Sequence, residues 1–227
     1  MRRAKLLGFG FVVATALACP ACPQDAEESL RLYAVHVIRV PKASWTGYGI
    51  YLGNGAVITA AHVAGLWPFH KLQVEIAGQS LPAAVLKEGQ FLDVDLTLLS
   101  VDERQLPVSL RLRRMTLCKN SPWPGEQVIV VIPEGLARSQ VISPSLLPLD
   151  LAPKFRTAIS DVATTGNSGS GVFDADKKCL LGIISAKIQE FQTRQENGRA
   201  VREVHDVAKY FVPTRTIADF IPSEYRF

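Results

Sequence analysis

The chain has 227 residues, 48% of them hydrophobic and 20% charged, with a formal net charge of +4 at pH 7. That composition excludes a disordered or low-complexity protein and fits one globular domain, or two small ones sharing an interface. Three of the positive charges (Arg2, Arg3 and Lys5) sit at the extreme N-terminus, so the body is close to neutral. It carries no basic stripe with interleaved aromatics, and no nucleic acid is expected as a partner.

Residues 1–18 read as a signal peptide. A charged start, MRRAK, precedes an apolar run from Leu6 to Ala18 that closes on the A-x-A pattern Ala16-Leu17-Ala18. The run is too short for an ordinary spanning helix. An exported protein, periplasmic or secreted, is therefore expected. Cys19 follows directly, and small residues before a cysteine resemble a lipoprotein processing box, although Ala16 stands where leucine is usual. In that second reading Cys19 is lipidated, and it supplies the protein's sole membrane contact. Of the other cysteines, Cys22 lies near the leader and Cys118 and Cys179 lie in the body. The body pair forms a disulfide or two buried thiols, and the first suits an oxidising compartment. No Cys/His spacing resembles a metal site, and neither metal nor cofactor is expected.

Residues 19–31 are read as a polar linker. From Leu32 the chain turns to strands, opening with the alternating, β-branched LYAVHVIRV. His36 lies within this strand and reads as packed or solvent-facing. A strand over 46–52 and another over 56–59 flank Gly53-Asn54-Gly55, a hairpin signal. The second runs into Ala60-Ala61-His62-Val63, which holds His62 at the end of a buried strand. Strands follow at 72–76 and 81–86. Asp93-Val94-Asp95 then opens the apolar run Leu96–Val101, and a carboxylate at the mouth of such a strand needs a partner. The spacing predicts an N-terminal barrel over 32–104 and a charged, leucine-rich connector over 105–118. A C-terminal barrel follows over 119–227, with strands at 127–132, 139–142, 157–159, 171–173, 180–185 and 209–212. A hairpin is expected at Asn197-Gly198 and a short helix at 216–221. The fold class is all-β: two six-stranded antiparallel barrels with a short C-terminal helix. His70 and His205 have no motif around them.

The remaining motif is Thr164-Thr165-Gly166-Asn167-Ser168-Gly169-Ser170-Gly171. A serine between glycines is exposed on a tight loop with free amides nearby, as an acyl-transfer nucleophile requires. Taken alone, such a cluster is also ordinary turn chemistry. With TAAHV (59–63) and DLTLL (95–99) it gives the order His62, Asp95, Ser168, and the chain resembles the trypsin/chymotrypsin superfamily of serine proteases. Gly47-Tyr48-Gly49, Leu181–Ser185 and Tyr210–Pro213 extend the resemblance over residues 32–222. It lies nearest the bacterial HtrA and glutamyl-endopeptidase branches. No PDZ domain is expected, since the sequence stops at Phe227.

The resemblance implies a serine-type endopeptidase that cleaves a polypeptide substrate through an acyl-enzyme. Ser168 is the expected nucleophile, His62 the base and Asp95 its partner, with Asp93 the alternative carboxylate. The backbone N–H groups of Gly166 and Ser168 form the expected oxyanion hole. The specificity pocket is expected at Val162 and Ala163, walled by Ser185, Ala186 and Lys187, and a small or apolar residue fits it best. Lys187 replaces a glycine common in the family where substrate backbone pairs with the strand. Ile184 stands where glutamyl endopeptidases carry histidine, and Asn167 where trypsin zymogens carry the aspartate that pairs with a new N-terminus. By the same resemblance Cys118 pairs with Cys179. A different class remains open: a non-catalytic or partner-activated binding module on a protease fold.

Overall fold

The computed structural model describes residues 23–41, 47–66, 71–160, 168–196 and 199–225. The stretch read as a signal peptide, Cys19, Cys22, His70, residues 197–198 where a hairpin turn is expected, and residues 161–167 lie outside them. Among the described residues no helix is long and apolar enough to cross a membrane.

Twelve strands form two closed antiparallel barrels, as the alternating patterns predict. The first comprises β1 (Ala34–Val40), β2 (Gly47–Gly53), β3 (Ala56–Thr59), β4 (Lys71–Ile76), β5 (Gln79–Glu88) and β6 (Thr97–Val101). The second comprises β7 (Gln127–Ile132), β8 (Gly135–Ile142), β9 (Ala158–Ser160), β10 (Gly171–Asp174), β11 (Leu180–Glu196) and β12 (Arg199–Pro213). Strand order around the barrels is β1-β2-β3-β6-β5-β4 and β10-β11-β12-β9-β8-β7. Closure removes most sheet edges, so each barrel needs apolar residues inside and against its partner.

The apolar strands meet that need. Val35, Val37, Tyr51, Val57, Val74 and Leu99 fill the first barrel. Val128, Val130, Val172, Leu181 and Phe211 fill the second. A third cluster takes Ile50, Leu52, Ile58 and Leu98 from one barrel and Ile129, Val131, Phe173 and Ile183 from the other, so the seam between barrels is itself core. Among the described residues four short helices accompany the barrels: α1 (Pro23–Glu28), α2 (Ala61–Ala64), α3 (Val108–Arg111) and α4 (Thr214–Phe220). The C-terminal helix thus starts two residues, and ends one residue, earlier than the sequence suggests.

Part of the segment read as linker is ordered. After α1 a 3₁₀ turn spans Ser29–Tyr33, and Leu30 is buried in the seam cluster. Glu27 bridges Arg138 of β8 and Lys178 of the β10–β11 turn, while Arg31 donates to the Pro133 carbonyl. The Lys178 hydrogen bond lowers the Glu27 pKa against the opposing effect of burial. The partners lie more than a hundred residues away, so local composition carries no sign of them. Strand β11 is also much longer than its apolar part, because polar residues pair there without a face to bury.

The disulfide joins Cys118 to Cys179, with Cα atoms 5.1 Å apart. It ties the connector to the β10–β11 turn, where Leu117 also bridges Leu180. Close by, two carboxyls are buried: Glu126 at 6% exposure and Asp174 at 3%. Asp174 accepts from the amides of Asp176 and Lys177 and from the Lys177 ammonium. Glu126 accepts from the Trp123 amide, and burial pushes its pKa up, with Asp174 adding to the effect. A carboxyl with a raised folded pKa binds its proton more tightly in the folded state, so stability falls as pH rises through that value. Glu126→Gln removes this cost. Its melting temperature is expected to exceed that of the wild type at pH 7, with the gap closing as pH falls towards 4.5. A gap that ignores pH would contradict this account.

Candidate active site

Three segments converge where the barrels meet. Strand β3 is buried throughout and passes through Ala60 into α2. The small residues Ala60, Ala61 and Ala64 let one helical turn pack tightly, and Gly65 ends it at φ 75°. His62 is the member of this turn whose ring reaches the surface, at 32% side-chain exposure. Thr59 pairs with Thr97, which brings the residues before β6 to the same barrel end. There Gly89 donates to the Leu96 carbonyl, and a Cβ on Gly89 would lie 2.2 Å from the Val94 oxygen. That close approach folds the chain so that Asp95 turns inward.

Asp95 is 3% exposed and accepts three hydrogen bonds. The His62 amide donates to Oδ1 at 3.0 Å, and His62 Nδ1 meets Oδ2 at 2.8 Å. The Ser185 hydroxyl donates to Oδ2 at 2.6 Å. Asp93 is exposed, so Asp95 is the carboxylate that meets His62. The bond from Nδ1 fixes the imidazole tautomer that leaves Nε2 able to accept a proton. Burial pushes the Tyr210 pKa up, and the nearby Asp95 charge adds to it.

Ser168 is clasped by both barrels. Its carbonyl accepts from the Tyr48 amide of β2 at 3.0 Å. Gly169 donates to the Ile184 carbonyl of β11 at 2.8 Å, and Ile184 donates back to Ser170 at 2.9 Å. Gly169 has φ +90°, and a Cβ there would lie 1.8 Å from the Tyr48 oxygen, so no other residue fits. The Ser168 hydroxyl donates to the Ser185 carbonyl at 3.3 Å, and in this structure no hydrogen bond joins it to His62.

Of the expected pocket walls, Ser185 faces Asp95, a contact that sequence reasoning missed. The available cue is a serine inside the apolar LLGIISAKI strand, since a buried hydroxyl needs an acceptor. Ala186 is half-buried, and the Lys187 ammonium meets Asp206 at 2.5 Å. Ile184 is buried. Val162, Ala163, Gly166 and Asn167 lie outside the described residues. A further feature went unread: Phe91 stands edge-on to the His62 ring at 5.2 Å. With Leu66, Leu92, Gly65 and Ala61 it lines an apolar cavity of about 380 Å³ beside the histidine. His36 pairs with Glu134 at 3.0 Å, and His205 is exposed beside Glu203. Among the described residues one grouping has metal-ligand potential (Cys118, Asp174 and Cys179), and its sulfurs are joined in the disulfide.

Two antiparallel barrels with a histidine, a carboxylate and a serine at their seam define the chymotrypsin-like class of serine peptidases. The family model for the trypsin-like peptidase domain matches residues 47–183, and the chain belongs to that family. Among solved structures it is similar to the serine endoprotease from Yersinia pestis (TM-score 0.59, 18% identity, 88% of this chain and 65% of that one). It is similar to the HtrA-type protease AlgW with tripeptide (TM-score 0.61, 18% identity, 87% of this chain and 61% of that one). It is also similar to the Rv3671c protease from M. tuberculosis in its active form (TM-score 0.56, 14% identity, 96% of this chain and 92% of that one). The chain thus spans less than two thirds of the length of the first two. At these identities the likeness is one of fold. No curated protein sequence matches the chain.

Proposed function

We propose that the chain is an exported serine endopeptidase, periplasmic or secreted, with His62, Asp95 and Ser168 as its catalytic residues. The observation that carries this reading is the 2.8 Å contact of His62 Nδ1 with the buried Asp95, set beside the doubly clasped Ser168. Ser168 Oγ attacks the scissile carbonyl carbon, and its proton passes to His62 Nε2. The C–N bond breaks as His62 returns that proton to the leaving amine. Water, deprotonated by His62, then attacks the acyl carbon, and the acyl C–O bond breaks as His62 returns the proton to Ser168 Oγ and the acid leaves. Asp95 holds the tautomer and offsets the imidazolium charge. The N–H groups of Gly166 and Ser168 receive the oxyanion, each worth about 3–4 kcal/mol on precedent.

The leader at 1–18 and the Cys118–Cys179 disulfide support export. A lipid at Cys19 is the alternative route to the same compartment. The substrate is a polypeptide. A small or apolar residue is assigned to the Val162–Ala163 pocket, and a further apolar side chain to the cavity beside Phe91.

One observation favours a second reading, a partner- or substrate-activated form. The Ser168 hydroxyl donates to the Ser185 carbonyl rather than to His62, so the nucleophile must change its partner before His62 can take its proton. The test is digestion of reduced, carboxymethylated lysozyme by the purified mature protein, with cleavage sites mapped by mass spectrometry. Internal bonds are expected to be cut by the wild type and left intact by Ser168→Ala. Equal cutting by both would overturn the proposal.

A further inference from the structure

We propose that the connector between the barrels carries a membrane-docking surface. Its arginine-rich, partly apolar patch around Arg111, Leu112 and Arg113 seats the protein on an anionic phospholipid bilayer, with His62 and Ser168 turned away. The inference goes beyond the peptidase reading and does not depend on it. It adds a second membrane contact to the one the sequence offers at Cys19.

The first observation is charge. From Arg104 to Gly125 the sequence carries five basic residues (Arg104, Arg111, Arg113, Arg114 and Lys119) and no acidic one. In a body close to neutral overall, that is a local excess. Arg104 is paired with Asp102, and Arg114 lies 3.9 Å from Glu103. Among the described residues Arg111, Arg113 and Lys119 form no ion pair, and Arg111 Nε is buried without a hydrogen-bond partner. A guanidinium in that state matches a phosphate, two N–H donors to two oxygens.

The second observation is apolar. Leu106, Leu110 and Met115 of the connector are buried, whereas Val108 and Leu112 are 58% and 78% exposed. These two lie four residues apart across α3 and share a face. Leu32 is 47% exposed and lines a cavity of about 410 Å³ with Arg31, Pro107, Leu110 and Arg113. The carboxylate of that cavity, Glu28, is taken by Arg31 at 3.0 Å. Apolar side chains set among arginines suit a bilayer surface, where the methyl groups enter the acyl boundary and the cations stay with the phosphates. A soluble polyanion would meet the charges and leave Val108 and Leu112 in water.

The third observation is placement. β3 and β6 run between the two ends of the first barrel: Thr59 pairs with Thr97 at the end that holds His62, and Ala56 pairs with Ser100 at the other. The connector is fixed to that other end. A Cβ on Gly53 would lie 3.4 Å from Arg114 Cα, and the Met115 amide donates to the Leu52 carbonyl. A protein seated on Leu112 therefore leaves Ser168 and His62 open to a soluble polypeptide. The N-terminal segment reaches the same face, since Glu28, Arg31 and Leu32 all line its cavity. Pro23 is four residues from Cys19, at most about 14 Å of extended chain. A lipid at Cys19 would thus hold this same face against the bilayer.

The test is co-sedimentation of the purified mature protein, without a lipid, with vesicles of mixed phosphatidylglycerol and phosphatidylcholine, beside vesicles of phosphatidylcholine alone. Binding is expected to the anionic vesicles and to weaken with rising salt. Arg111→Gln/Arg113→Gln is expected to lower the partition coefficient by about 25-fold, roughly fivefold per arginine. Arg194→Gln/Arg202→Gln removes the same charge from the β11–β12 hairpin and is expected to bind as the wild type does. Leu112→Ser is expected to abolish the part of the binding that survives high salt. Thermal unfolding checks each variant. Should the Arg111/Arg113 pair fail to fold, Lys119→Gln/Leu112→Ser, at two exposed positions, carries the same comparison. Absence of binding to the anionic vesicles overturns the proposal, and so does equal binding to both kinds. Equal losses in the connector and hairpin pairs overturn it as well, since net charge alone would then be read. So does retention on heparin without retention on vesicles, which would assign the patch to a soluble polyanion. A wild type that takes up a fluorophosphonate when free but not when vesicle-bound also overturns it, because Ser168 would then face the lipid.

Discussion

Asp95→Asn is expected to lower kcat by about ten-thousandfold at neutral pH while the protein stays folded. The carboxylate accepts from the His62 amide, the His62 ring and the Ser185 hydroxyl. An amide has one oxygen, and its NH₂ can only donate. With the amide nitrogen at the Oδ1 position the His62 amide faces a donor, and with it at the Oδ2 position the His62 ring and the Ser185 hydroxyl do. The ring relieves this by taking the other tautomer, with its proton on Nε2, where it cannot accept from Ser168. The imidazolium also loses its counter-charge in a buried setting, where that charge matters most. Steady-state kinetics beside thermal unfolding checks the prediction. A kcat within tenfold of the wild type would remove Asp95 from the mechanism. The same experiment on Asp93→Asn is expected to change little, because that side chain is exposed.

The second large effect is on stability. Cys118 and Cys179 are 61 residues apart in sequence, and a link of that span restricts the unfolded chain by about 4 kcal/mol on the loop-entropy estimate. Replacing both by serine is expected to lower the melting temperature by about 8–16 °C for a chain of this size. Serine hydroxyls at these partly and fully buried positions also need partners, which acts in the same direction. The reduced wild type is expected to match the double variant. A shift below about 2 °C would show that residual contacts around Leu117 and Leu180 already hold the ends of this loop together in the unfolded chain.

The strands that bury an apolar face were legible because side-chain period and burial are the same physical fact. β7, buried from Val128 to Ile132, was read with its observed limits. β12 was read only from Lys209, although Ala208 is already buried, because from Ala200 to Asp206 its residues are mostly exposed and show no buried apolar period. The order of His62, Asp95 and Ser168 was legible as motif, and so were the glycines that closed loops demand. The contacts of Ser185 and Glu27 were not. Both depend on residues about 90 or more positions away, and a lone serine or glutamate carries no local mark of its acceptor or donor. Phe91 was equally hidden. Its ring is exposed on a loop, where periodicity has nothing to report, and only the fold brings it against His62.

The central claim is that Ser168 is an activated nucleophile. The most direct measurement is reaction of the purified mature protein with a fluorophosphonate, followed by mass-spectrometric mapping of the adduct. The account predicts one phosphonyl group per chain, on Ser168, with none on Ser168→Ala and a greatly slowed reaction on Asp95→Asn. A folded wild-type protein that takes up no probe, or takes it up at another residue, would contradict it.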